Sequence, residues 1–98
     1  MTVYVDALMH SGWQMHGRPI QSCHMFTDAE DLDELHVIAK AIGLRRAWFQ
    51  GRASTPRYVL TPGKRAQAII AGAVPVGRSE AVRIWRKLRA RPRQEVDA

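Results

Sequence analysis

All four histidines fall within the first 36 residues together with Asp6 and the single cysteine, Cys23, and such side chains ligate metals or move protons near neutral pH. Asp6 ends one β-branched run, His24 ends a second apolar run and His36 lies on a helical stretch. Brought together, the three would form a two-histidine, one-carboxylate set that holds a divalent metal, leaves room for water and supports hydrolysis. Spacing alone does not specify this, because neither histidine belongs to an HExxH or C-x-x-C pattern. A metal-free reading uses the same residues and needs no cofactor. His24 or His36 acts as general base, Asp6 or Asp33 orients its ring, and Lys64 or Arg65 holds a phosphate or carboxylate. Lys64 and Arg65 follow Thr61 and Pro62 at an expected helix start, where free amide hydrogens favour anions. Cys23 is a poorer nucleophile, since a strand places neighbouring His24 on the opposite face and thiol activation needs a base or helix terminus nearby.

These side chains need elements to position them, and the chain is organised around residues 32–50. Leu32, Leu35, Ala39 and Ile42 recur at intervals of three and four, the stripe of a helix with one face on a core. Thr27 and Glu30 have capping-box spacing ahead of it, with carboxylates crowding residues 28–34, so the helix is expected to begin near residue 28. Gly43 supplies a left-handed stop, and residues 45–50 then read as a strand. Upstream, residues 2–5 and 20–26 read as strands and residues 7–19 as a loop. Downstream, residues 57–60 form a short strand, and Thr61 caps a helix with Pro62 at its first position. Ala66, Ile69, Ile70 and Ala73 face its core, Lys64 and Arg65 lie outside, and Gly72 ends it. Residues 74–76 make an edge piece confined by Pro75. Ser79 caps a third helix with Trp85 and Leu88, and Val82 or Ala81, turned inward, while Pro92 stops it. The expected fold is α/β, a small single sheet of about four strands with three helices packed on it. One domain spans residues 1–91, and a flexible tail spans 92–98.

Length and charge narrow the partners. A chain of 98 residues supports one modest core. A lone cysteine excludes an intrachain disulfide and suits a reducing cytoplasm, and no apolar run approaches the ~20 residues of a membrane span. The expectation is a cytoplasmic protein with no membrane partner. Net charge is +6, and between Leu35 and Ser79 eight Lys or Arg occur without one Asp or Glu. Such a field draws phosphate backbones or an acidic, nucleoprotein-like partner. The third helix concentrates it in Arg83, Arg86, Lys87, Arg89 and Arg91, long cations able to reach phosphates and displace counterions. No helix-turn-helix, zinc-finger or RNA-recognition signature accompanies them, so base-specific readout is not implied. Trp48, Phe49, Tyr58 and Trp85 are of the type that stacks on bases, with Trp85 and at least one of Trp48 and Phe49 expected in the core. An edge strand leaves a homodimer open.

The opening MTVYVD, the CHM triplet at residues 23–25, the run DLDELHVIAKAIGLRRAWFQ and the later YVLTPGKRAQAIIAGA together resemble the DUF4031 family, small proteins of bacteria and their phages. The resemblance covers residues 1 to about 76 and implies no particular activity. Asp6, His24, His36, Lys64 and Arg65 match its pattern. The family carries an HYD-like triplet before the second helix, where this chain has Arg57, Tyr58 and Val59. By this resemblance the basic third helix lies outside the shared pattern. Three functions stand: a small basic accessory protein that binds nucleic acid or a nucleic-acid-handling complex; a hydrolase or nuclease-like enzyme using Asp6, His24 and His36; or a phage inhibitor of a host defence complex.

Overall fold

The computed structural model describes residues 2–51 and 55–90. Five strands and three helices follow one another: β1 (Val3–Val5), β2 (Met9–Met15), β3 (Arg18–Thr27), α1 (Asp33–Ala41), β4 (Tyr58–Leu60), α2 (Pro62–Ile70), β5 (Val74–Pro75) and α3 (Arg78–Ala90). The α/β class agrees with expectation, whereas the sheet holds five strands rather than about four. The proposed 92–98 tail and the Pro92 stop lie outside the described residues. Among the described residues, no helix is long and apolar enough to cross a membrane.

The additional strand is β2, in the segment expected to be a loop. Met15 pairs with Arg18, and the two residues between them, His16 and Gly17, have φ of 54° and 76°. Positive φ at both central positions defines the tight turn whose twist matches paired strands. Asn-Gly is the usual signal for it, and here histidine fills the first position. Burial does not contribute to this hairpin, because the described side chains of β2 are exposed. Turn geometry therefore sets its register.

β3 is the hub of the sheet. It pairs with β2 through residues 18–22, with β4 through 23–25 and with β1 through 25–27, while β5 runs parallel to β1. Alternation along β3 sends Cys23 and Met25 to one face and His24 and Phe26 to the other. The first face carries the main core, where Val3, Val5, Cys23, Met25, Tyr58 and Leu60 pack against Leu35 and Ala39 of α1, Ile42 at its C-cap and Ala68 of α2. The second holds Phe26 against Ala81 and Ile84 of α3, with Tyr4, Trp85 and Leu88 alongside. Fully burying a side chain such as Leu35, Met25 or Phe26 contributes about 1.5–3 kcal/mol, so the long hub strand is anchored from both sides.

Two local expectations fail at helix starts. α1 begins at Asp33 rather than near residue 28, with Leu32 as an N-cap lacking a side-chain bond. Thr27 is the last residue of β3, and its hydroxyl donates to the Thr2 carbonyl and accepts from the Ala29 amide. The Asp28 carboxylate receives the Thr2 amide and the Tyr4 hydroxyl. These polar groups fasten the end of β1, so they do not cap a helix. α3 likewise begins before Ser79, and Ala81 N–H bonds the Gly77 carbonyl.

Helix ends follow local chemistry. Gly43, with φ 85°, donates to the Lys40 carbonyl while Leu44 donates to that of Ala39; Gly72 and Ala73 repeat the pattern on Ile69 and Ala68. Both helices close in this left-handed motif, which satisfies their last carbonyls. Thr61 caps α2 by accepting from the Lys64 amide. The inward face of α2 differs from expectation, however. Ala68 is buried and Ile69 partly so, Ala66 and Ile70 are exposed, and Lys64 and Arg65 are half-buried. The expected strand at 45–50 is instead a 3-10 turn (Arg46–Trp48), followed by a single bridge from Gln50 to Arg57. That turn directs Phe49 toward the main core and leaves Trp48 about half exposed.

Candidate functional site

The antiparallel register of β1 on β3 brings Asp6 to His24. Asp6 N–H donates to the His24 carbonyl at 3.1 Å, and the Asp6 carboxylate answers twice. Its Oδ1 accepts the His24 backbone N–H at 2.6 Å, and its Oδ2 lies 3.0 Å from His24 Nδ1. The carboxylate thus takes a role that a main-chain carbonyl would fill in a regular ladder. The strand also breaks here: between Asp6, opposite His24, and Met9, opposite Ser22, Ala7 and Leu8 stand against Cys23 alone. An extra residue of this kind bends a strand and re-aims its side chains. Arg65 Nε donates to the Asp6 carbonyl at 2.8 Å, bracing the bend from α2.

Asp6 is buried, while the His24 side chain is one-third exposed. With Nδ1 held by the carboxylate, Nε2 is the nitrogen left for chemistry at the surface. The ring meets Trp85 of α3 edge-on, centroids 6.1 Å apart, and the buried Trp85 Nε1 has no acceptor among the described residues. This pair can position an imidazole as general acid or base. Val59 stands across from His24 in the β3–β4 register. Directly opposed residues share a sheet face, so Val59 sets an apolar side chain beside His24.

His36 does not join this pair. Its Nδ1 lies 2.9 Å from the Tyr58 hydroxyl, and its ring abuts Phe49 edge-on at 4.6 Å. Both partners belong to the main core side of the sheet, whereas His24 contacts Trp85 on the α3 side. Burial lowers the His36 pKa, and the Arg46 guanidinium lowers it further against the opposing influence of Asp33. Burial raises that of the Tyr58 phenol, against the opposing influence of Arg46. Among the described residues, no three His, Cys, Asp or Glu side chains are grouped as a metal would need. The two-histidine, one-carboxylate set is therefore not assembled. Asp33 lines a depression of about 540 Å³ beside His36, Lys40 and Arg46, and does not orient His24.

Lys64 and Arg65 both engage the fold. Lys64 Nζ donates to the Ile42 carbonyl at 2.5 Å, tying α2 to the end of α1, and Arg65 supports Asp6. Arg65 also faces Cys23, whose thiol is pushed up to about 12 by burial and by Asp6, against the opposing pull of Arg65. By contrast, Arg83, Arg86, Lys87 and Arg89 on α3 are exposed, opposite the buried Ala81 and Ile84. A pair between Arg83 and Glu80 at 3.4 Å is the one carboxylate contact on this face among the described residues.

Trp13 carries no role by pattern, and Tyr58, expected among the aromatics able to stack on bases, is instead buried against His36. The alternation of Trp13 and Met15 before a His-Gly turn was the available signal for a strand there.

The fold and site define a small α/β domain with a carboxylate-held histidine beside a basic helix. The chain belongs to the DUF4031 family, described as proteins of unknown function, whose model matches residues 3–88. The match reaches past residue 76 and takes in most of α3, so the basic helix lies within the family's span. No curated protein and no solved structure matches the chain.

Proposed function

We propose that this protein binds nucleic acid, or a complex that handles it, through the outer face of α3. The observation that carries this reading is the exposed array of Arg83, Arg86, Lys87 and Arg89 on a helix whose other side is anchored by Ala81 and Ile84. Anchoring matters because cations on a fixed helix release phosphate counterions without first ordering the chain. The test is affinity for labelled DNA and RNA across a salt series. Arg86→Glu with Arg89→Glu should abolish binding at moderate salt and reduce the dependence of log affinity on log salt by about two units. Unchanged affinity in that variant would reject the reading.

A second reading is favoured by the Asp6–His24 contact, in which Nδ1 is held at 3.0 Å and the ring touches α3 through Trp85. His24 would then serve as a general base or acid on a phosphorylated ligand drawn in by the helix. His24→Ala should abolish turnover of a bound nucleic acid while leaving its affinity within about threefold, since base catalysis contributes ~10²–10⁴ in rate and little in binding. Equal turnover by wild type and variant would remove it.

A further inference from the structure

We infer that the groove between the β2 hairpin and the Arg46–Trp48 turn is a stacking site for unpaired bases, so that the nucleic acid recognised is single-stranded; this rests on the reading of α3 given above. The groove measures about 870 Å³, within the ~300–1,000 Å³ of small-ligand clefts. Trp13 and Met15 line it from the hairpin, Trp48 and Phe49 from the turn, and Val59 and Lys64 from beneath.

Trp13 and Trp48 remain 37% and 52% exposed although the main core lies close by. Phe49 is a fixed wall, held by His36 on one side and by Tyr58 at a centroid distance of 5.3 Å on the other. Bases bind such surfaces through their π-faces, and only bases outside a duplex expose those faces.

Charge selects the occupant. Among the described residues no Asp or Glu lines the groove, Lys64 does, and the Arg45 guanidinium sits 5.9 Å from the centre of the Trp48 ring. An aromatic cleft with cations at its rim suits a planar base carrying a phosphate. A second copy of a chain with net charge +6 would bring like charge to that rim. Residues 45–50 turn instead of extending, and Trp48 is presented outward beside the groove.

The test uses the full chain, a short labelled oligothymidylate and a duplex of equal length. Trp48→Ala should weaken oligothymidylate binding about tenfold, and Trp13→Ala by a similar or smaller factor, with duplex affinity unchanged. Trp48→Phe, which keeps a stacking face, should recover most of the loss. Both positions are exposed, and matched thermal melts exclude misfolding as the cause. Wild-type oligothymidylate affinity in both alanine variants, together with its loss in the Arg86→Glu, Arg89→Glu variant, would overturn the groove and leave the α3 reading standing. Absence of all nucleic-acid binding at low salt would overturn both. Self-association abolished by Trp48→Ala would overturn the inference by giving the groove to a second copy.

Discussion

His24 leans on a buried carboxylate beneath α3, whereas His36 leans on a phenol between α1 and Phe49 on the other side of the sheet. A carboxylate accepts from Nδ1–H whether the ring is neutral or charged. A phenol hydroxyl can donate to a bare Nδ1 or accept from Nδ1–H, so it adds no charge to hold the ring in either form. Partner chemistry, more than residue type, separates the two histidines. His24 rests on a charged acceptor and is partly exposed; His36, its pKa lowered by burial and by Arg46, sits among the aromatics of the main core.

The largest expected effect is at Asp6. Asp6→Ala removes the acceptor of both the His24 amide and ring, and should cost about 3 kcal/mol in urea unfolding, the scale of buried hydrogen bonds to a charged group. His36→Ala should cost less, and an equal or greater loss there would break the asymmetry. Tyr58→Phe comes next, at about 1 kcal/mol for one neutral hydrogen bond. Followed by NMR, the His36 titration should move up toward its ordinary value in Arg46→Gln, since that guanidinium helps to lower it.

The pH dependence sharpens the same contrast. Because the folded pKa of His36 lies below its ordinary value of 6.5, the unfolded chain takes up a proton first as pH falls. The stability it contributes is full above about 6.5 and is lost as pH falls through the folded pKa. Thermal melts from pH 8 to pH 5 should show this decline, and His36→Gln should flatten it; an identical slope in the variant would refute the assignment. The smallest effect concerns Cys23, adjacent to His24 but facing the main core. Its buried thiol, pushed up to about 12, should resist alkylation at neutral pH until the protein unfolds. Rapid labelling of the native protein would contradict its placement.

Pattern reading succeeded where one residue's own chemistry suffices. Gly43 and Gly72 end helices because they adopt positive φ, and Thr61 with Pro62 starts one because its hydroxyl and fixed φ suit that position. The core stripe of α1 was legible for a similar reason, since Leu35, Ala39 and Ile42 share a face at helical spacing. Reading failed where the partner is distant in sequence. Thr27 and Asp28 look like a helix start until Thr2 and Tyr4 claim their oxygens. Residues 45–50 have strand composition yet acquire only the Gln50–Arg57 bridge, and without a ladder partner the backbone turns on itself.

For the site, residue types marked Asp6, His24 and His36 as candidates, and their positions on strands and a helix followed from periodicity. Which of them meet did not. The β1–β3 register joins Asp6 to His24 across 18 residues, and strand alternation carries His24 to the face opposite His36's partners. Local sequence thus determined the helix stops, the α2 cap, the apolar stripe of α1 and the basic charge of α3. Tertiary structure decided the histidine pairing and the aromatic groove, because both depend on strand registers closed between segments far apart in the chain.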